Sequence, residues 1–331
     1  MNRITMAHGS GGAVTQELIR TVFQKHLANK YLNKMDDAAV LTGSSYPLVM
    51  TTDSFVVTPL FFPGGDIGKL AVFGTVNDLW MMGGQPLYLT AAFILEEGLS
   101  MKTLEEAVSS LGQAARDVGI QVVAGDTKVV EGKGGLYINT TGLGQLCYSQ
   151  VIGSAQAKPG DSVIVSGPLG NHHASILSSR LGIKNYIQSD CAYLGDMVKG
   201  LLEAGLEVHV LRDVTRGGLA TVLNEIAKSS RVNIQVSEEL IPVDPEVLGF
   251  CEILGLDPLY MANEGKFVCI VPEKDTAKAL SMIKQHAHGA GAVVLGKVFN
   301  SLQGHQVTCQ TKYGGEKIID ILYGEGLPRI C

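Results

Sequence analysis

The chain has 331 residues and a mass of 35.1 kDa, room for two domains of ordinary size, with 46% hydrophobic and 18% charged residues, the balance of a chain with a packed core. A net charge of −6 and a pI near 5.8, with no block of lysines or arginines, argue against a nucleic-acid partner. The longest apolar stretches, such as 87–95, are far too short to span a bilayer, and residues 1–5 open no signal-peptide core, so a cytoplasmic protein with no membrane partner is expected.

In chain order, His8-Gly9-Ser10-Gly11-Gly12 precedes a helical pattern with Val14, Leu18, Ile19, Val22 and Phe23 on one face. A glycine-rich turn entering a helix offers free backbone N–H groups to a phosphate, and it reads equally as a plain loop. Strand-length apolar runs follow at 38–42, 48–52 and 55–57, with Asp36-Asp37 before the first and Asp53 after the second. Gly64-Gly65-Asp66-Ile67-Gly68-Lys69 is not a P-loop: the glycine spacing is one residue short and Leu70 stands where a hydroxyl must bind Mg²⁺. A buried helix over 70–82 carries Asn77-Asp78 in apolar company, and an aspartate there needs a partner. A strand at 87–95, a helix opened by a Thr103/Glu106 capping box, and a strand at 121–124 running into a Gly125-Asp126-Thr127-Lys128 turn come next. A strand at 136–144 closes the first half, and several strand pairs are joined too closely for parallel crossovers, which predicts a mixed α+β domain.

Residues 156–161 read as a domain-entry turn. Beyond it the pattern predicts a strand at 162–166, helices at 172–181 and 193–204, a strand at 208–211, the turn Arg212-Asp213-Val214-Thr215-Arg216-Gly217-Gly218 and a helix at 219–228. Asn263-Glu264-Gly265 precedes a strand at 266–271, and three more strands lead to the C-terminus. His172-His173 is not read as a metal pair, because adjacent helical residues do not face one another.

Six cysteines lie far apart with no C-x-x-C, against a zinc site or a disulfide framework, and Cys269 reads as a small core hydrophobe. Cys331 asks for a chemical explanation. It ends Gly324-Glu325-Gly326-Leu327-Pro328-Arg329-Ile330-Cys331, where two glycines loosen the backbone and Pro328 resists absorption into a sheet. Extended, the residues after Asp320 reach roughly 35–40 Å, so a terminal thiol on such an arm can visit its own chain's pocket and then another protein. A frayed terminus is the plainer alternative.

Asp37, Asp53, Asp78, Asp126 and Asp213 each sit in or beside an apolar element, next to a small, glycine or hydroxyl residue. Singly they read as turn or capping aspartates; together they point to convergence on a hard cation, with Mg²⁺ and a nucleoside triphosphate the economical choice. Lys128 and Glu264 read either as a positioned acid or base or as loop charges.

Asp36-Asp37-Ala38-Ala39-Val40, Thr52-Asp53-Ser54, Asn77-Asp78, Gly125-Asp126-Thr127-Lys128, Asp213 to Gly218, Asn263-Glu264-Gly265 and the closing Pro328-Arg329-Ile330-Cys331 resemble the HypE family of [NiFe]-hydrogenase maturation factors. That family lies within the PurM-like (aminoimidazole ribonucleotide synthetase) superfamily; the aspartate motifs carry the superfamily, and the terminal P-R-I-C separates HypE from its relatives. One departure is Gly170-Asn171-His172-His173, where the family pattern is Gly-Asp-His-Gly.

The resemblance implies a two-domain PurM-like α+β fold: an ATP-binding and dimerisation domain at 1–155, an α/β domain at 156–320 and a mobile tail at 321–331. It implies that a HypF-type partner carbamoylates Cys331, that ATP-dependent dehydration converts the thiocarbamate to a thiocyanate, and that the cyano group passes to a HypC–HypD complex carrying iron. Asp37, Asp53, Asp78, Asp126 and Asp213 would hold Mg²⁺ and phosphates, helped by Gly9, Ser10, Gly11, Gly12 and Thr127. Glu264, Lys128 and His8 are the candidates for proton transfer and oxygen activation, in a homodimer with nucleotide sites near its interface. Two rival readings are another phosphotransferase of the superfamily, of the selenophosphate synthetase or thiamine-phosphate kinase kind, and a non-catalytic thiol carrier. The N-terminal loop lacks the cysteine of the first, and neither phosphotransferase accounts for Cys331.

Overall fold

The computed structural model describes residues 3–5, 17–29, 33, 47–146, 148, 152–301 and 304–321. His8, the Gly9–Gly12 loop, Asp37, the expected strand at 38–42 and the tail with Cys331 lie outside the described residues.

After a helical segment whose last turn is α1 (Gln24–Leu27), four strands form the first sheet in the order β1-β6-β4-β5: β1 (Leu48–Phe55), β4 (Gly84–Glu96), β5 (Gln121–Val130) and β6 (Leu136–Leu146). Strand β1 ends at Phe55, so 55–57 is not a separate strand as expected. A two-strand ribbon, β2 (Phe61–Phe62) and β3 (Gly65–Asp66), leads into helix α2 (Ile67–Met81). Asp66 caps that helix itself: its Oδ1 accepts from the N–H groups of Gly68 (2.8 Å) and Lys69 (3.0 Å), occupying the amides that a phosphate loop would offer.

Helix α3 (Met101–Asp117) is the crossover that lets β4 and β5 run parallel. The expected capping box does not open it. The helix starts three residues earlier, after Ser100, because the Arg3–Ser100 bridge and the bond from Ile4 N–H to the Leu99 carbonyl (2.6 Å) hold the entering chain. The expected turn at Gly125–Lys128 is also corrected. Pairing with Ala91–Ile94 of β4 continues through it, and a side chain at 125 would meet the Ala91 carbonyl oxygen at 2.5 Å.

The second sheet runs β13-β12-β9-β11-β7-β10-β8, from β7 (Ser162–Val165), β8 (Val210–Asp213), β9 (Val232–Ser237), β10 (Phe267–Val271), β11 (Val293–Asn300), β12 (Val307–Gln310) and β13 (Glu316–Ile319). Only β9 and β12 pair parallel among these strands. Helices α4 (Asn171–Leu181), α5 (Gly195–Glu203), α6 (Gly218–Ser230), α7 (Pro245–Leu254) and α8 (Glu273–Lys284) complete the second half. Strand β9 and helices α7 and α8 had no counterpart in the sequence reading. Cys269 lies wholly buried in β10, where burial pushes its thiol up to about 12.

Helix α2 joins the halves. One side packs on the first sheet, where Thr140 Oγ1 donates to the Ala71 carbonyl (3.0 Å). The other side belongs to a core shared with Leu194, Met197, Val198 and Leu201 of the second half. Its apolar composition all round is what a helix buried on every side requires. The buried Asn77 is satisfied across that interface, donating to the Ala192 carbonyl (3.0 Å) and accepting from Leu194 N–H (2.9 Å).

Candidate active site

Consecutive helical residues point about 100° apart, so with Asn77 turned to the second half, Asp78 faces β1. There its Oδ2 accepts from Thr51 Oγ1 at 3.0 Å. Along β1 side chains alternate, placing Thr51 and Asp53 toward α2 and Met50, Thr52 and Ser54 on the opposite, open face of the sheet. Asp213 ends β8, opposite Phe267. The chain then turns into α6 through Gly217 (φ 80°) and Gly218 (φ 64°); a side chain at 218 would strike the Leu259 carbonyl at 2.4 Å. Glu264 follows Asn263, which is fully buried and fastened by Oδ1 to Gly170 N–H (2.7 Å) and by Nδ2 to the Met261 carbonyl (3.1 Å).

These residues meet. Asp53, Asp78, Asp213 and Glu264 line one cavity of about 460 Å³ between the two sheets, with Arg212 and Arg216 at its wall. Burial, then the charge of Asp78, pushes the Asp213 carboxyl up to about 7. Asp78 is likewise raised by burial, against the lowering effect of its Thr51 bond. Glu264 is raised well above the ordinary carboxylate range by burial and by Asp190, Asp213 and Asp53, with Arg216 opposing. His172 Nε2 stands 4.0 Å from Glu264 Oε1 and its Nδ1 lies 2.8 Å from Ser189 Oγ. Burial lowers His172 to about 4, so at neutral pH this is a neutral imidazole beside a carboxyl rather than an ion pair.

Crowded, desolvated acids of this kind fit a hard cation, which supplies the charge they lack. Among the described residues no three such side chains close around one point; Asp53, Asp78 and Asp213 are the cavity carboxylates that could hold such a cation. Asp213→Asn and Asp78→Asn are expected to weaken Mg·ATP binding in calorimetry while leaving the metal-free protein at least as stable. For Asp213 the sign follows from its raised carboxyl: the stability it contributes is fully present below the ordinary 3.8 and is lost as pH rises through about 7. Melting of the metal-free wild type should therefore fall across that window, and Asp213→Asn should flatten the slope. Wild-type nucleotide affinity in both variants would count against the cluster.

The expected convergence of all the aspartates is corrected within one chain. Asp126 sits on β5, separated from β1 by β4 and β6, or roughly 14 Å at about 4.8 Å per strand. It also projects from the open face, in the row Ser54, Asn139, Ala92, Asp126, whereas Asp53 faces α2. Asp126 and Lys128 form an exposed ion pair at 3.1 Å, and Thr127 faces the helical side with Phe93. None of the three lines the cavity.

The sequence reading missed Asp190, Ser189, Lys266, Arg212 and Arg216. Asp190 lies on an irregular segment with no periodicity to mark it; Arg212 and Arg216 flank the Asp213 motif, the one signal available. The Gly170-Asn171-His172-His173 departure has a local counterpart: Asn171 Nδ2 donates to Asp244 Oδ2 at 2.8 Å, where an aspartate would oppose a carboxylate to a carboxylate.

Two family models match, AIR synthase related protein N-terminal domain over residues 35–146 and C-terminal domain over 158–305, and a PurM-like fold of mixed sheets and helices with an acid-lined cleft between its halves is what the structure presents. The carbamoyl dehydratase HypE of Cupriavidus necator is 48% identical over 99% of this chain and 95% of its own length. A crystal structure of the hydrogenase maturation protein HypE in complex with ATP is 45% identical with a TM-score of 0.95, covering 98% of this chain and 99% of that one. A HypE–HypF complex contains a chain 45% identical with a TM-score of 0.80, covering 94% of this chain and 100% of that one. The chain belongs to the HypE family of carbamoyl dehydratases. Full-length similarity of this kind favours neither a phosphotransferase nor a bare thiol carrier. Among the described residues no helix is long and apolar enough to cross a membrane.

Proposed function

We propose that this chain dehydrates a carbamoyl group carried on its own Cys331, at the expense of ATP, to leave an S-cyano group for the iron of a [NiFe]-hydrogenase. The observation that carries the reading is the meeting of Asp53, Asp78, Asp213 and Glu264 in one inter-sheet cavity, in a chain of the carbamoyl dehydratase family that carries Cys331 in the sequence Pro328-Arg329-Ile330-Cys331. The carbamoyl oxygen is a poor leaving group; phosphorylated by ATP, it departs as phosphate while the nitrogen loses both protons, so thiocarbamate and ATP become thiocyanate, ADP and phosphate. Mg²⁺, held by Asp53, Asp78 and Asp213, would neutralise phosphate charge. Glu264 takes a proton from the carbamoyl nitrogen, its raised carboxyl making it the stronger base once ionised. Arg212 and Arg216 stand at the cavity wall, where they would orient phosphate oxygens. Asp37, Gly9, Ser10, Gly11, Gly12 and His8 are proposed on the family pattern alone.

The homodimer proposal rests on the open face of the first sheet. Leu48, Met50, Ile94 and Val130 stand exposed there, Met50 at 72%, a patch that a second copy would cover. Stacking two such faces would bring Asp126 and Lys128 toward the other protomer, which accounts for their distance from the cavity of their own chain. Met50→Glu combined with Ile94→Lys should give a monomer in sedimentation equilibrium with weaker ATP binding; an intact dimer would remove this surface from the interface. A HypF-type carbamoyl donor is proposed from the HypE–HypF complex, and a HypC–HypD acceptor from the family chemistry. Intact-mass spectrometry after incubation with a HypF-type enzyme, carbamoyl phosphate and ATP tests the function. A carbamoyl adduct that then loses one water supports it, and an adduct that never dehydrates opposes it.

A further inference from the structure

The irregular segment between α4 and α5 carries Ser189-Asp190-Cys191, and none of these residues has been given a role in the dehydration step. The Asp190 side chain is 5% exposed. Its Oδ1 accepts from Glu264 N–H at 3.3 Å and its Oδ2 from Gly265 N–H at 3.1 Å. Lys266 Nζ, itself buried, stands 3.6 Å from Oδ2 and donates to the Gly265 carbonyl at 3.2 Å. The turn lies flush against the segment: a side chain at 265 would meet the Asp190 carbonyl oxygen at 1.9 Å. Two and four residues further on, Ala192 and Leu194 are fastened to Asn77, the neighbour of Asp78 on α2.

We propose that Asp190 is a positioning residue for the dehydration step, its carboxylate clasping the backbone of Glu264 and Gly265 so that the Glu264 side chain is held in the cavity. A buried carboxylate–ammonium pair contributes little net stability, because desolvation offsets its attraction. What Asp190 and Lys266 supply at this place is a fixed backbone beneath the base. The segment also ties that backbone to the helix carrying Asp78, so the base and the metal-side carboxylate share one frame.

This inference rests on the reading of Glu264 as the base, and a double-mutant cycle separates the two. The full-length protein, carbamoylated and supplied with Mg·ATP, is followed by mass spectrometry for loss of one water. Asp190→Asn should slow that loss about 10- to 100-fold, the scale of a misplacement near 1 Å, with carbamoyl acceptance and Mg·ATP affinity unchanged. In a Glu264→Gln background it should add nothing, because Asp190 acts through Glu264. A variant that only loosened the fold would slow both backgrounds and weaken nucleotide binding as well. Should Asp190→Asn not fold, Gly265→Ala shifts the same turn with every charge in place and should show the same pattern. A stalled Glu264→Gln beside a wild-type rate in Asp190→Asn or Gly265→Ala, or equal slowing in both backgrounds, overturns the inference alone. A wild-type rate in Glu264→Gln removes the base and the inference together.

Discussion

Glu264→Gln is expected to bind Mg·ATP, accept the carbamoyl group on Cys331 and stop there. Removing a general base typically costs about 10²–10⁴-fold in rate. The amide keeps the shape of the carboxylate and leaves both hydrogen bonds of the preceding Asn263 side chain in place, so folding should be untouched. Burial and the neighbouring aspartates raise the Glu264 carboxyl, so in the wild type the dehydration rate should climb with pH on a limb displaced above the ordinary carboxylate range. The check is a single-turnover time course by intact mass across pH. Loss of water at the wild-type rate would move the proton acceptor to His8, or to Lys128 of a second copy across the proposed dimer.

Cys331→Ala should abolish the reaction altogether, since the substrate is carried on that thiol. Thermal melting and Mg·ATP affinity should match the wild type. Among the described residues the cysteines offer no substitute: burial pushes the thiols of Cys191, Cys251, Cys269 and Cys309 upward, away from the thiolate that attacks a carbamoyl donor. A stable carbamoyl adduct on the Cys331→Ala protein, located by peptide mapping, would displace Cys331 as the carrier.

The elements legible in the sequence were those with a strong local pattern. Helix α2 is one, apolar for four turns; strand β4 and the glycine-marked turn after Asp213 are others. Where tertiary contact overruled local preference, the reading failed. The Thr103/Glu106 box is outcompeted by the bridge to Arg3, and the Gly125–Lys128 segment reads as a turn by composition yet is held straight by β4. Helix α7 is short, starts on Pro245 and is apolar nearly all round, and α8 is largely polar with only Ala279 and Ile283 buried, so neither was read from the sequence.

By itself the sequence determined the chemistry that this protein has at its disposal: acids set in apolar elements, a glutamate before a glycine at 264 and 265, and the Cys331 thiol. Which of those acids meet was decided only by the tertiary structure. Strand parity and sheet order are long-range properties, so Asp53 and Asp126, each in a similar-looking motif, end on opposite faces and opposite edges of one sheet. Asp190 became visible only in three dimensions as well, because its partners at 264 and 265 lie more than seventy residues away along the chain and nothing local announces a carboxylate that binds backbone.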